Sequence, residues 1–297
     1  MPAAAVITAI LAVHARLATT VLCVHAQKQS SGAAECRRRL LDGLEEYEEP
    51  FGMVSAVSQH AAVAARHMHE FGTTSEQLAA VAVAARKHAT LNPAAMMRTP
   101  ITIEDVLASR FVTKPLHLLD CCLVSDGAGA VVVTGSERAS GLRKQPVYVA
   151  GFGFGYGHGP LEAPTLTTLG GTQASAAAYA MSGLGPDDVD FAELYDCFTI
   201  ITLVTLEDYG FCAKGEGGAF VSDGRIELGG ALPVNTHGGL LSQGHVEGML
   251  HVTEAVKQLR GEVEVARQVP DARVGIVSGH GATLSAHATL LLTKECG

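Results

Sequence analysis

The chain has 297 residues, of which 47% are hydrophobic and 17% are charged, a composition typical of a compact globular protein and not of a disordered one. It carries 21 lysines and arginines against 30 aspartates and glutamates, a formal net charge of −9, which argues against a nucleic-acid-binding surface because such surfaces concentrate positive charge. The seven cysteines form neither CxxC pairs nor the dense framework of a secreted disulfide protein, so we expect a reduced, cytoplasmic environment.

The first predicted elements are a buried helix over residues 3–17 and an interior strand over residues 19–25. The apolar start lacks the basic leader of a signal peptide and is interrupted by His14 and Arg16. It also falls short of the roughly 18 uninterrupted apolar residues that a membrane-spanning helix needs. We therefore expect no membrane span.

Three helical segments follow with no strand signal between them. The first ends at Gly72, because glycine readily adopts the left-handed conformation that closes a helix. Thr73 and Glu76 have the spacing of a capping box and predict the start of the second helix, and Thr102 and Asp105 mark the start of the third. The sequence therefore predicts an inserted helical lobe.

The glycine-rich string SDGAGAVVVTG has no GxGxxG spacing and opens no helix, so it predicts a tight turn before a core strand over residues 130–134. Beyond it, strand and helix signals alternate, which indicates an α/β layered domain. A change near residues 141–146 is the candidate domain boundary. The elements predicted after it cover residues 147–154, 172–182, 189–193, 198–209, 247–260, 273–278 and 289–294.

Polar side chains stand among apolar neighbours in the string VDFAELYDCFTIITL. Tyr195, Asp196 and Cys197 lie there between a predicted strand and a predicted helix, where side chains often converge on a pocket and backbone N–H groups lack partners. The simpler interpretation is that Asp196 caps the helix.

A second cluster lies in the string NTHGGLLSQGHVEGMLHVTEAV. Gly238 and Gly239 permit close backbone approach or positive φ, and His245 precedes a helix, where an imidazole can face a cleft. His237 and His251 lie nearby, but their spacing is not that of an HExxH metal motif. We expect no metal site.

A third cluster, VSGHGATLSAH, places His280 at the end of a predicted strand. Ligands of α/β domains usually bind at strand ends. No GxSxG nucleophile elbow is present in the sequence, so a serine hydrolase is not indicated.

These three clusters, in this order, resemble the thiolase superfamily, specifically the branch related to the sterol carrier protein thiolases and often labelled lipid-transfer proteins. The resemblance implies a layered αβαβα fold of two similar α/β halves. It divides the chain into a partial N-terminal half over residues 1–144, with a helical loop region over about 50–115, and a C-terminal domain over residues 145–297. The resembling strings are FGTTSEQLAAVAVAARKHATLNPAA, PLHLLDCCLVSDGAGAVVV, ELYDCFTIITLVTLEDYGF, NTHGGLLSQGH and HGATLSAHATLLL.

The resemblance also places a candidate site. Residues 195–198 occupy the Asn-Glu-Ala-Phe motif of ordinary thiolases, and His245 matches the histidine of their Gly-His-Pro motif, with Val246 in place of the proline. Residues 278–282 cover their Cys-x-Gly-Gly-Gly motif, with serine where the acid/base cysteine stands. The residues expected to bind substrate are Asn235, His237, Gly238, Gly239, Ser278 and Gly279.

The chain departs from the family at the nucleophile. In ordinary thiolases a cysteine near the start of a helix takes the acyl group, and a neighbouring histidine accepts its proton. Laid on the helix of residues 3–17, that cysteine would fall at about Met1 or before it, so the first half is expected to be incomplete. Cys23, Cys121, Cys122 and Cys197 do not match the position of that nucleophile.

The resemblance therefore implies an enzyme that makes or breaks a carbon–carbon bond β to a coenzyme A thioester, by acyl transfer or by a retro-aldol reaction on a sterol or fatty acyl chain. A retro-aldol reaction needs a base for the hydroxyl proton and donors for the thioester enolate, but no acyl-enzyme. Tyr195 is the candidate acid/base, and its pKa, about 10 when unperturbed, would need tuning by neighbours at neutral pH. His245 is the candidate donor to the thioester oxygen, Asp196 would orient, and His280 is a further candidate for the same pocket.

We expect the coenzyme A thioester as substrate, no separate cofactor, a homodimer, and a small OB-fold partner protein of the kind used by family members that act as aldolases. Two alternatives stay open. One is a non-catalytic acyl-CoA or lipid-binding protein, and the other is a scaffold subunit whose sites are vestigial.

Overall fold

The structure is a computed structural model and describes residues 1–29, 47, 49–139, 141–156, 166–281 and 285–296. The described strands are β1 (Thr20–Lys28), β2 (Phe111–Thr113), β3 (Leu116–His117), β4 (Asp126–Thr134), β5 (Tyr148–Tyr156), β6 (Phe191–Glu193), β7 (Val274–Gly281) and β8 (Ala286–Thr293). The described α-helices are α1 (Pro2–His14), α2 (Ala56–Phe71), α3 (Ser75–Thr90), α4 (Ile103–Ala108), α5 (Ser136–Ala139), α6 (Gly171–Ser182), α7 (Thr199–Asp208), α8 (Gly217–Phe220) and α9 (Met249–Arg260).

Two sheets face each other across a helical layer. The larger sheet has the strand order β5–β8–β7–β6, in which only the β6–β7 pair is parallel. The smaller sheet pairs β1 antiparallel to β4, from Thr20 opposite Thr134 to Lys28 opposite Asp126. β2 and β3 form a separate short hairpin.

Helices α1 and α9 fill the space between the sheets, because each carries apolar side chains that pack on both of them. Ile7 of α1 and Met249 of α9 are almost completely buried there, together with Leu290 of β8. Helices α6 and α7 lie beside the other face of the larger sheet. The layered α/β architecture predicted from the alternating sequence pattern is confirmed.

Helices α2, α3 and α4 follow one another with no strand between them, as the sequence predicts. Their start signals are partly as expected, since Thr102 and Asp105 do form a capping box at α4. The box at α3 is made by Thr74 and Gln77 and not by the predicted Thr73 and Glu76. The Thr73 hydroxyl lies 2.7 Å from Nδ1 of a buried histidine of α2 instead.

The glycine-rich segment before residue 130 was expected to be a turn, and this expectation is wrong: residues 126–129 are part of β4. A Cβ atom on Gly127 would lie 2.8 Å from Val246, and one on Gly129 would lie 2.7 Å from Met249. Glycine is therefore needed because the strand passes close to the start of α9, and its lack of a side chain does not mark a reversal of the chain. This approach brings the small sheet against the loop that carries His245.

Within the described ranges, no helix is both long enough and apolar enough to cross a membrane.

Candidate active site

Tyr195 lies in the short turn that joins β6 to α7, and its backbone is fixed from both sides. Its N–H donates to Oγ of Ser278 on β7 at 2.8 Å. The preceding residue, Leu194, donates its N–H to Oδ1 of Asn235 at 2.7 Å and accepts from Nδ2 of the same side chain at 2.8 Å. Ser278 and Asn235, predicted to bind substrate, therefore have side chains engaged in positioning the turn of Tyr195.

His245 is held by its own backbone in the loop before α9. Its N–H donates to Oγ of Ser125 at 2.6 Å, and the same hydroxyl donates to the His245 carbonyl at 3.2 Å. Ser125 is fully buried immediately before β4. The position of His245 is therefore tied to the end of the small sheet. A hydroxyl that satisfies both backbone groups of one residue leaves that residue little freedom to move.

The two predicted catalytic side chains meet in one buried crevice. The Tyr195 hydroxyl lies 3.4 Å from Nε2 of His245, and the rings approach edge to face with centroids 6.3 Å apart. Tyr195 is 6% exposed and His245 is 8% exposed. At this separation, a small molecule that contacted one of the two groups would lie within reach of the other.

Glu247 and Gln27 complete a ring of four side chains that the sequence analysis did not anticipate. The Tyr195 hydroxyl donates to Oε2 of Glu247 at 3.3 Å. Nε2 of Gln27 donates to Oε1 of Glu247 at 2.9 Å, and Oε1 of Gln27 lies 3.2 Å from Nδ1 of His245. Gln27 comes from β1 and lies 220 residues before Glu247 in the chain, so no sequence spacing signals the contact.

Burial governs the protonation of the pair. It raises the pKa of the Tyr195 phenol far above its usual range, and the nearby Cys197 and Glu247 raise it further. Burial also lowers the pKa of His245, against the opposing attraction of the carboxylates of Glu247 and Asp196. The tuning that Tyr195 would need to ionise at neutral pH is therefore not provided by its neighbours, because a buried phenolate beside a carboxylate is disfavoured. Both groups are neutral at neutral pH.

Asp196 is fully buried and orients the loop of the second cluster. Its carboxylate accepts from the N–H groups of Leu240 at 2.8 Å and Leu241 at 3.4 Å, and Oδ1 lies 3.0 Å from Nε2 of His251. The alternative that it caps α7 is wrong, since the N-cap of that helix is Phe198 and no side chain bonds there.

Glycine is required beside this carboxylate. A Cβ atom on Gly239 would lie 1.9 Å from Oδ2 of Asp196. The neighbouring Gly238 has φ of 105°, and a Cβ there would lie 2.7 Å from Ala89 of α3. Both predicted substrate-binding glycines therefore meet close protein neighbours, and their role is to let the loop pack against α3 and the turn of Tyr195.

His237 belongs to a buried pair with Glu193, whose Oε2 lies 2.7 Å from its Nδ1. Burial raises the pKa of Glu193 to about 7 and lowers that of His237 to about 3, so the pair is favoured as an acid beside a neutral imidazole. Among the described residues, no group of three or more potential ligands is arranged to hold a metal ion.

His280 lies against the Tyr195 ring, with centroids 6.0 Å apart, and borders the same crevice from β7. Burial and the neighbouring His60 and His287 keep its pKa well below the usual range, so the imidazole next to the Tyr195 ring is uncharged. The adjacent Gly279 packs against α1, where a Cβ would lie 2.9 Å from the methyl group of Ala3. Ala282, at the end of the matched motif, lies outside the described residues.

Cys197 is the thiol nearest in sequence to Tyr195, and its Sγ lies 3.7 Å from Nε2 of His60. Burial raises the pKa of this thiol well above its ordinary value and lowers that of His60 to about 4, so the pair does not form a thiolate and an imidazolium. Burial also raises the pKa values of Cys121 and Cys122 to about 12. These thiols lack the activation that a nucleophilic cysteine needs.

A cavity of about 1230 Å³ lies away from the crevice, between α1, β4, β8 and α9. Its wall includes Ile10, Val131 and Leu292, and none of the predicted site residues lines it.

Comparison with known proteins places the chain among thiolase-like proteins. Residues 158–294 match the family model described as Thiolase C-terminal domain-like. A steroid side-chain-cleaving aldolase of Thermomonospora curvata is 40% identical over 270 residues, which cover 85% of this chain and 68% of that protein. A 17-hydroxy-3-oxo-4-pregnene-20-carboxyl-CoA lyase of Mycobacterium tuberculosis is 45% identical over 72% of this chain and 58% of its own length. Sterol carrier protein 2 of Rattus norvegicus is 35% identical over 75% of this chain and 43% of its own length.

A solved structure described as an Ltp2-ChsH2(DUF35) aldolase superimposes with a TM-score of 0.92 and 38% identity, and the match covers 98% of this chain and 77% of that one. The match extends over almost all of this chain, so the two chains share their overall fold.

Proposed function

The chain belongs to the thiolase superfamily, in the branch that contains steroid side-chain-cleaving aldolases and sterol carrier protein 2, and we propose that it breaks a carbon–carbon bond β to a coenzyme A thioester by a retro-aldol reaction. The observation that supports this reaction is the 3.4 Å contact between the Tyr195 hydroxyl and Nε2 of His245. The proposed substrate is a β-hydroxyacyl-CoA with a steroid or other bulky acyl part. Because the chain spans 58–68% of the two aldolase and lyase relatives, the activity is proposed for the chain together with whatever completes it.

In the proposed reaction Tyr195 relays a proton and does not ionise. The substrate β-hydroxyl gives its proton to the phenol oxygen while the phenol passes its own proton to Nε2 of His245. The Cα–Cβ electron pair moves into the thioester to form an enolate, and the β carbon becomes a ketone or aldehyde. The proton held by His245 is then delivered to Cα of the enolate, which restores the neutral imidazole, and no water is consumed.

This relay adds a proton-accepting role to the donor role expected of His245. A neutral imidazole first accepts the proton, and the imidazolium that results is a donor beside the enolate oxygen. Positioned donors of this kind stabilise charge that develops in the transition state. The raised pKa of Tyr195 suits such a relay, because a phenol that resists ionisation accepts one proton only as it releases another.

Acyl transfer is the less favoured reaction for the described residues. It requires a thiolate, and the buried thiols of Cys122 and Cys197 have raised pKa values. The retro-aldol route uses only the oxygen and nitrogen atoms that the crevice brings together.

We further propose a partner protein. The similar solved structure is described as a complex of Ltp2 with ChsH2(DUF35), and a small OB-fold protein is the partner that we expect here. The proposed homodimer and cytoplasmic location are further proposals, which sedimentation and cell fractionation would test.

The test is an assay of this chain, alone and with a candidate OB-fold partner, against 17-hydroxy-3-oxo-4-pregnene-20-carboxyl-CoA and a β-ketoacyl-CoA. We expect ketone and the shortened acyl-CoA from the hydroxy substrate, and no thiolysis of the ketoacyl-CoA with free coenzyme A. Tight binding of both thioesters without turnover in any combination would instead identify a non-catalytic acyl-CoA binder. No measurable affinity would identify a scaffold.

A further inference from the structure

Glu247 and Gln27 lie beside the pair formed by Tyr195 and His245. Glu247 contacts Tyr195, Gln27 contacts His245, and the two side chains are hydrogen-bonded to each other. Glu247 is half-buried just after His245, with φ of 49°, a left-handed conformation that is unusual for a glutamate. Gln27 is half-buried near the end of β1, opposite Gly127 of β4. A costly backbone conformation at a crevice residue is often kept for function.

The hydrogen-bond donors and acceptors fix the orientation of the Gln27 amide. An ionised carboxylate only accepts hydrogen bonds, so the Gln27 atom at 2.9 Å from Glu247 is its NH₂ group. The amide oxygen of Gln27 then faces Nδ1 of His245 at 3.2 Å. An oxygen can only accept, so in the neutral imidazole Nδ1 carries the proton.

The proton on Nδ1 determines the state of Nε2, the His245 nitrogen nearest to Tyr195. When Nδ1 carries the proton, Nε2 presents a lone pair to the Tyr195 hydroxyl at 3.4 Å. The hydrogen bond on one imidazole nitrogen thereby determines which proton the other can take. In addition, the negative charge of Glu247 favours the protonated form of His245.

We propose that Gln27 and Glu247 act together as positioning residues: Gln27 holds His245 as the Nδ1–H tautomer, while Glu247 fixes the Gln27 amide and stabilises the imidazolium formed during carbon–carbon cleavage. The second part of this assignment rests on the proposed retro-aldol function. The first part, the tautomer of the resting imidazole, does not.

The charged and titratable groups around His245 define how its pH response should change. Glu247 lies on the same loop, and Tyr195 and Asp196 come from the turn after β6. His251 comes from α9, and the thiol of Cys122 lies near the carboxylates of Asp196 and Glu247. Removing the charge of Glu247 takes away an attraction for the imidazolium, so the pKa of His245 falls further. The acid limb of kcat/KM then moves to lower pH, by about 1 unit if the charge acts within a few ångströms.

The kinetic test uses Glu247→Gln, Glu247→Asp and Gln27→Leu in the chain with its partner. Glu247→Gln should lower kcat about 10- to 100-fold, the range found when an orienting partner is lost, with KM changed by less than about 3-fold because no substrate contact is removed. Glu247→Asp should recover part of kcat, because it restores the charge. Glu262→Gln, which breaks a surface pair with Lys144 at 2.6 Å, is the matched control and should leave both parameters unchanged.

The spectroscopic test needs no turnover. In protein with ¹⁵N-labelled histidine, the His245 signal, identified by its loss in His245→Asn, should show the Nδ1–H tautomer. In Gln27→Leu it should shift toward the Nε2–H form or a mixture. Circular dichroism at the same temperature establishes that each variant is folded.

The outcomes separate the two proposals. A wild-type kcat, an unshifted acid limb and an unchanged ¹⁵N pattern in Gln27→Leu and Glu247→Gln would overturn the positioning assignment and leave the retro-aldol function standing. A chain that gives the expected ¹⁵N change but cleaves no β-hydroxyacyl-CoA would sustain the tautomer assignment and overturn both the aldolase function and the imidazolium role of Glu247.

Discussion

The role of a single side chain in this protein follows from its hydrogen-bond partners, and Tyr195 is the clearest case. Its hydroxyl has one proton and two acceptors within reach, Nε2 of His245 at 3.4 Å and Oε2 of Glu247 at 3.3 Å. A phenol between these two acceptors can receive a proton from the substrate only while it gives up its own. Ser278 and Asn235 hold the backbone that aims it.

Asp196 makes a testable contribution at the same scale. Asp196→Ala would leave the N–H groups of Leu240 and Leu241 and the imidazole of His251 without their buried acceptor. Each buried unsatisfied group costs about 1–3 kcal/mol, so we expect the free energy of unfolding to fall by about 3 kcal/mol or more in urea titration. Asp187→Ala removes an exposed carboxylate just before β6 and should change it by less than about 0.5 kcal/mol. Equal effects of the two substitutions would contradict the assigned role.

At the scale of elements, the alternating pattern was sufficient to predict the α/β layers. Local sequence signals for helix starts and turns were less accurate, because tertiary packing also determines where an element begins and ends. The capping box moved from Thr73 to Thr74, because a threonine in either position satisfies the pattern. The glycines of residues 126–129 read as a turn, and only the approach of α9 explains them as strand.

The candidate site was predictable to the extent that it follows family motifs. Tyr195 and His245 were found in this way, and the structure brings them together. Gln27 and Glu247 were not found because the contacts of Gln27 join residues 218–220 positions apart and that of Glu247 with Tyr195 joins residues 52 apart, distances that no local pattern encodes. The raised pKa of Tyr195 was not predictable, since sequence does not reveal how deeply the phenol is buried.

The prediction at the scale of elements concerns the close contact between α6 and β5. A Cβ atom on Gly153 would lie 2.1 Å from the carbonyl oxygen of Ala174. Gly153→Ala must push the helix away from the sheet, and we expect it to lower the free energy of unfolding by about 1–3 kcal/mol or more. Gly135→Ala, whose Cβ would meet nothing closer than 3.6 Å, serves as control. A neutral Gly153→Ala in denaturant titration would show that the contact is looser than described.

For the whole molecule, the layers place neutral histidines deep inside. Burial lowers the pKa of His287 to about 4, and His60 behaves alike. A histidine whose folded pKa lies below its unfolded value of about 6.5 stabilises the fold fully above that value and loses this contribution as the pH falls toward the folded pKa. Each such histidine should lower the free energy of unfolding by about 2 kcal/mol between neutral pH and pH 5.

We therefore expect the urea midpoint to fall steeply between pH 7 and pH 5. His287→Gln should be less stable than the unsubstituted chain at pH 7, because it alters the bond with Tyr209 at 2.8 Å, but should lose less on acidification. His14→Gln, at an exposed position, should keep the full loss. An unsubstituted chain equally stable at pH 7 and pH 5 would contradict the neutral assignment of the buried histidines.

The same layers bring a turn, a loop and a strand from distant parts of the chain to one crevice, and the proposed chemistry depends on that assembly. The most direct measurement is the initial rate of ketone release from a β-hydroxyacyl-CoA by the chain with its partner, compared between the unsubstituted protein, Tyr195→Phe and Tyr179→Phe. Tyr179 donates to a backbone carbonyl on the outer side of the larger sheet and controls for loss of a phenolic hydroxyl. We expect Tyr195→Phe to lower kcat by about 100-fold or more, as for loss of a positioned acid/base, with Tyr179→Phe close to the unsubstituted rate. Ketone release by Tyr195→Phe at the unsubstituted rate would contradict the proposal that Tyr195 carries the proton.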